Sequence, residues 1–191
     1  MRTEALAGIE RELPFPNEGV FGLKKRISEL EGVDAEIAGR ILDVSNIWAH
    51  TKPPESMFPF IIKQFGSVEA VRSQPIVRVD VLPLRAGTLF NGLRSMRPGM
   101  SPDAHKDIQV EEIISKSLKG DIFAEPESGT PEASWGRAEG RMCISAENVA
   151  KFDGEHSLVI FDEPHPLRFE RSQVIDYLMT AKEIWKKQHE D

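Results

Sequence analysis

Apolar residues recur along the first third of the chain at helical spacing. Residues 22–31 read as a short helix stopped at Gly32. Asp34 stands where an N-cap belongs. Ile37, Ile41, Val44 and Trp48 then follow at steps of three or four, which predicts one amphipathic helix over 34–49. Pro53 and Pro54 break that pattern and open a further helix, carrying Met57, Phe58, Phe60, Ile61, Ile62 and Phe65 to a stop at Gly66. Pro59 falls inside its first turn. Ser67 is a second cap, for a short helix through Arg72. Residues 1–75 are therefore expected to form a small helical N-terminal region.

The texture changes after Pro75. Ile76, Val77, Val79, Val81 and Leu82 favour a strand. A helix is predicted over 108–118, on the stripe Val110, Ile113, Ile114 and Leu118. Residues 124–140 are rich in Gly, Pro, Ser and Glu and read as a long excursion, which Trp135 would pin to the body. Residues 141–145 and 157–161 read as paired strands, with Asp153 and Gly154 marking the turn between them. Ser172 is a cap for a final helix, whose stripe is Val174, Leu178, Ala181 and Trp185. Trp48 and Trp185 both fall on such stripes and are expected in the core. Residues 76–191 are thus expected to form an α+β domain.

Composition narrows the chemistry. Of 191 residues, 40% are hydrophobic and 29% charged, as in ordinary globular proteins. The net charge is −7, and no Lys/Arg-rich run gives the electrostatic footprint of a nucleic-acid or anionic-membrane binder. No apolar run approaches the roughly 20 residues that span a bilayer. The first residues, broken by Glu4, Glu10 and Glu12, lack a signal-peptide core. A lone cysteine, Cys143, makes no intrachain disulfide and suits a small core residue of a strand. A cytoplasmic protein is expected.

Two stretches hold candidate chemistry. In TLFNGLRSMRP, Asn91, Arg94 and Arg97 crowd between apolar residues, and paired guanidinium forks suit a phosphate or carboxylate. Solvated surface arginines are the plainer alternative. In 141–167, polar residues gather at the ends of the strands.

The order of these pieces resembles the galactose-1-phosphate uridylyltransferases, of the histidine-triad superfamily. The strand and loop LVIFDEPHP, with Asp162, Glu163, Pro164 and His165, followed by a helix, is similar to a segment of those enzymes. TLFNGLRSMRP is similar to their Asn-Pro-Leu motif and its downstream Arg-x-x-Arg-Pro. Asn148, in the stretch to Asp153 that includes Lys151, falls where the family has an Asn on the ribose. The resemblance spans 88–188 and implies an antiparallel half-barrel sheet with packed helices. It implies ligand contacts at Asn91, Arg94, Arg97, Asn148 and Lys151, and a degenerate zinc-type site at His165 and Asp121, where the family's Cys pair has become Asp121 and Ala124. The family's His-Pro-His-Gly-Gln nucleophile motif matches none of His50, His105, His156, His165 or His189. Without that imidazole the double displacement has no covalent carrier.

The resemblance therefore implies a nucleotide or nucleotide-sugar binding domain, inactive alone. Its partners would be the small molecule and, across an unpaired sheet edge, a further copy or a complementary chain. Two other readings stand beside it. One is an interaction protein that kept the fold and lost the site. The other is a metal-dependent hydrolase using Asp162, Glu163 and His165, with Glu155 and His156 nearby.

Overall fold

The computed structural model describes residues 15–97, 121–163, 165 and 167–190. The helix expected over 108–118 lies outside them. The fold is mixed α+β, built on an antiparallel sheet with packed helices, and among the described residues no barrel is closed.

Helices α1 (Leu23–Ser28) and α2 (Gly32–Ile41) open the described chain. The helix expected to run on to residue 49 ends at Ile41, and Leu42–His50 is strand β1 instead. Val44 and Trp48 are four apart, a spacing that fits both a helical stripe and one face of a strand. What decides is the partner. β1 pairs antiparallel along its whole length with β2 (Ser73–Val81), setting Val44 against Val79 and Ile47 against Ile76. The N-terminal region is therefore helical only in parts, and the strand pair joins it to the chain beyond residue 75. Trp48 is half-buried, with the Phe15 ring edge-on at 5.4 Å.

β2 continues the sheet to β3 (Ala86–Asn91), from Val81 opposite Ala86 to Ile76 opposite Asn91. Pro75 has no N–H to give, and it stands one residue before that ladder begins. Helix α3 (Phe58–Phe65) packs on α4 (Val68–Arg72), and α4 meets β1 and β2. Gly66 ends α3 at φ 86°, a left-handed turn that glycine adopts without strain. Ser67 Oγ then accepts the Ala70 N–H at 3.1 Å, capping α4 as its sequence predicts. Met57, Ile61, Phe65, Val71 and Ala150 form the buried cluster, with Leu93 and Val149 against it. The one-turn helix α5 (Gly92–Ser95) comes directly after β3.

The 124–140 stretch contains one helical turn, α6 (Pro126–Gly129), and is tied down by Arg137. That guanidinium is almost buried and donates to the carbonyls of Ser145 (2.8 Å), Thr130 (2.7 Å) and Pro126 (3.1 Å). Lys187 lies over the Trp135 ring at 5.1 Å, so this tryptophan does pin the excursion.

Strands β4 (Cys143–Glu147) and β5 (Ser157–Phe161) form the expected hairpin, with Cys143 opposite Phe161. Helix α7 (Arg171–Glu190) covers it. Ser172 lies inside this helix rather than capping it. The side chain of Gln173 instead accepts the Glu170 N–H at 2.8 Å, half of a capping box. The expected stripe is also on the wrong side. Tyr177, Thr180 and Ile184 face the hairpin, while Leu178 and Trp185 are each 66% exposed. Trp185 is thus a surface residue, not a core one. Phe161 stacks on Tyr177 at 4.1 Å and Phe169 meets both rings edge-on; this aromatic cluster turns the helix to its observed face.

Candidate functional site

The sheet and the hairpin meet at the loop between β4 and β5. Val149 and Lys151 of this loop are held first by a buried amide, that of Gln74 near the start of β2. Its Nε2 donates to the carbonyls of Val71 (2.7 Å) and Val149 (2.8 Å). Its Oε1 accepts from Asn91 Nδ2 (2.8 Å) and from the Lys151 N–H (3.0 Å). Asn91 Nδ2 also reaches the Lys151 carbonyl at 2.8 Å, and its Oδ1 caps α5 through the Leu93 N–H at 2.9 Å. Every donor and acceptor of the Gln74 amide is used, the condition under which a buried polar group stabilises.

Lys151 is buried as well. Its ammonium lies 2.6 Å from Glu147 Oε2 and donates to the His50 carbonyl at 3.3 Å. Ser157 Oγ donates to the other carboxylate oxygen of Glu147. Burial pushes the Glu147 carboxyl above its ordinary range, and Lys151 pulls against it.

The outer side of the same loop carries three more groups. Arg94 donates to the Ala150 carbonyl at 3.2 Å and lies over the Phe152 ring at 5.0 Å. Burial and then the neighbouring Arg97 draw Arg94 below the usual arginine value. His156 Nδ1 accepts the Phe152 N–H at 3.0 Å. Its Nε2 is 3.3 Å from the Asn148 amide, which accepts the ring proton when Oδ1 is turned toward it. Burial, then Lys151 and then Arg94 hold His156 below the ordinary histidine value, which favours the neutral ring.

Beside this loop is a cavity of about 430 Å³. Met57, Phe60, Phe65 and Ile122 give it apolar walls, and Arg97 and Asn148 supply polar ones. This is the volume of a small-ligand site, with an apolar body and few polar groups. A second cavity of about 470 Å³ lies between Lys52, Glu127, Glu132, Arg137 and Glu139. Its cations are already engaged, Lys52 with the Ser134 carbonyl and Arg137 as above.

The five residues singled out as ligand contacts do gather around one loop, but they divide. Arg97 and Asn148 line the cavity. Arg94 sits on the loop's outer side against Phe152. Asn91 and Lys151 are 8% and 4% exposed and spend their side-chain donors inside the protein, so they position the loop. Asp121 and His165 are both exposed. Asp121 Oδ1 accepts the Phe123 N–H at 2.9 Å, and His165 Nδ1 accepts that of Leu167 at 3.2 Å. Among the described residues, no three His, Cys, Asp or Glu side chains group so as to hold a metal. Asp162 and Glu163 also close local structure. Asp162 Oδ1 accepts from Tyr177 Oη at 2.7 Å, which holds its carboxyl low, and Glu163 Oε1 accepts the His165 N–H at 2.8 Å. Cys143 Sγ is 3.2 Å from Thr180 Oγ1, and burial raises the thiol, which keeps it protonated.

Sequence reasoning passed over Gln74 and Phe152. The signal for Gln74 was an amide set beside an apolar strand run, and only the fold shows which groups it meets.

No family model matches the chain, and neither a curated protein nor a solved structure matches it. Among the described residues, no helix is long and apolar enough to cross a membrane.

Proposed function

We propose that the cavity beside residues 148–150 binds a nucleotide or nucleotide sugar, and that this chain acts as a binding domain rather than a nucleotidyltransferase. The observation that carries the reading is the pairing of an apolar cavity with Arg97 and Asn148 at its wall. A flat base or sugar would rest against Met57, Phe60 and Phe65, and an anionic group would meet Arg97. Arg94 adds positive potential from the loop's outer side. The fixed loop would offer these groups without reordering, which lowers the cost of binding. The resemblance to uridylyltransferases supports the ligand class, and the lack of a matching nucleophile supports binding over catalysis. A reduced, cytoplasmic setting and self-association belong to the same proposal; the first rests on the single cysteine.

Calorimetric titration with UMP, AMP, UDP-sugars and ADP-sugars tests it. At least one should bind, and Arg97→Ala should weaken that binding about tenfold, as loss of a charge-assisted contact does. Silence with all of them at millimolar concentration sinks the reading. The burial of Asn91 and Lys151 favours the second reading, an interaction protein that retains the fold, and that same silence would select it.

A further inference from the structure

Two side chains of the loop before β5 fix each other's polarity. One nitrogen of the His156 ring is settled by the backbone. Its Nδ1 accepts the Phe152 N–H at 3.0 Å, so it holds no proton. A neutral ring then carries its proton on Nε2. That nitrogen lies 3.3 Å from the Asn148 amide. An N–H there needs an acceptor, and of the two amide atoms only Oδ1 is one. The opposite rotation would set donor against donor. The amide is therefore turned with Oδ1 to the ring and its NH2 away from it.

The place of that NH2 gives the arrangement its consequence. Asn148 lines the cavity, and among the described residues its side chain has His156 as hydrogen-bond partner. The NH2 thus keeps its donors for whatever enters. Arg97, the other polar side chain with a free hydrogen-bonding role at that wall, is also a donor, and among the described residues no carboxylate lines the cavity. A wall of donors calls for oxygen on the ligand.

The ring itself is fixed. It is half-buried, and Phe152 meets it edge-on at 6.2 Å. The charged groups that face it are Lys151 and Asp153 of its own loop, and Arg94 and Arg97 in and just beyond α5. Three of these four are cations, so the surroundings oppose a second proton on the ring.

We propose that His156 is a positioning residue for this cavity: it takes the Phe152 N–H on Nδ1, donates Nε2–H to Asn148 Oδ1, and so aims the Asn148 NH2 at an oxygen of the bound nucleotide. The inference rests on the nucleotide-binding reading above. It also fixes a sign. A protonated ring has no lone pair for the Phe152 N–H, so acid should release the ring and with it the Asn148 amide. Charge attraction alone would act the other way, because a cationic ring near an anionic ligand strengthens binding.

The test has a part that needs no ligand. Nitrogen-15 NMR of the full chain above about pH 7 should find the His156 proton on Nε2. Titration with UDP-sugars supplies the second part, since they lack the phosphate monoester whose ionisation near about pH 6 would confuse the profile. Affinity should fall as pH is lowered from about 7.5 to about 5. His156→Leu should weaken binding about tenfold, and Asn148→Asp, which keeps the acceptor and removes the donor, at least as much. His156→Gln keeps an N–H for Asn148 and has no ring to titrate, so it should bind within about threefold of the parent and lose the pH dependence. A ring protonated on Nδ1 overturns the inference alone. So does binding that His156→Leu or Asn148→Asp leaves untouched, or that strengthens in acid. Silence of the parent with every nucleotide, while the proton sits on Nε2, fails the binding reading and overturns both.

Discussion

Two loops flank β5, and their polar residues meet different fates. The loop before it, around residues 148–156, is gripped from outside: Gln74 and Asn91 come from distant parts of the chain to bind its backbone. The loop after it, around 162–170, mostly grips itself: Asp162, Glu163 and His165 each accept an N–H within two residues, and its tie to the rest of the chain is Asp162, which also accepts from Tyr177 and Gln173 of the helix that follows. Both are rich in Asp, Glu and His. The difference is the long-range backbone partner, which holds the first loop so that Asn148 lines a cavity, while the later loop uses its groups to make turns. A cluster of titratable side chains in sequence is therefore a poor guide to a site, and a buried amide that fixes a loop is a better one.

The strongest way to sharpen this contrast is to break the buried ion pair. Lys151→Met leaves the Glu147 carboxylate without its cation and should cost about 3–5 kcal/mol in urea unfolding. The double variant with Glu147→Leu should regain most of that loss. Gln74→Ala should cost about 3 kcal/mol, because it leaves one Asn91 amide hydrogen, the Lys151 N–H and the Val149 carbonyl without their partner together. A loss under about 1 kcal/mol would show that the first loop is as self-sufficient as the second.

A smaller effect is tied to pH. The folded chain holds His156 below 6.5, so the unfolded chain binds a proton that the folded one refuses. That contribution is fully present above about pH 6.5 and is lost as pH falls through the depressed value. Glu147 acts in the opposite sense: its raised carboxyl makes its contribution greatest below 4.5 and weaker as pH rises through the raised value. His156→Gln should therefore flatten the stability profile below pH 6.5 relative to the parent, and an unchanged slope would place the histidine in solvent.

The smallest effects belong to the second loop. Glu163→Ala should change stability by no more than about 0.5 kcal/mol, as exposed substitutions do. Tyr177, the chain's one tyrosine, is pushed up to about 12 by burial and then by Asp162. Asp162→Asn should bring its ultraviolet titration part of the way back toward 10. Either change unfolding the protein would erase the distinction between the loops.

Much of the fold could be read locally. The α3 stop at Gly66, the Ser67 cap and the β5 strand depend on neighbours in the chain, and sequence reports neighbours well. Two readings failed where a distant partner decides. Residues 42–50 pair with β2, which overrides a spacing that suits either period. The face of α7 is set by the Phe161, Phe169 and Tyr177 rings rather than by the larger apolar stripe. The site was partly legible for the same reason. Arginines and Asn148 could be nominated by type, but the division into lining and positioning residues depends on Gln74, which lies 77 residues from Lys151.

That separation also bears on the order of assembly. The helices α3 and α4 and the β4–β5 hairpin join residues close in the chain, so loop closure costs them little. The Gln74 amide cannot find Val149 or Lys151 until most of the intervening chain has been gathered. High contact order of this kind slows folding, and the contacts concerned form late. The cavity wall would then be among the last features to close and, if the opening is sub-global, among the first to open. Native-state hydrogen exchange at the Lys151 amide, set against Ile144 or Val159 in the hairpin, measures that lag directly.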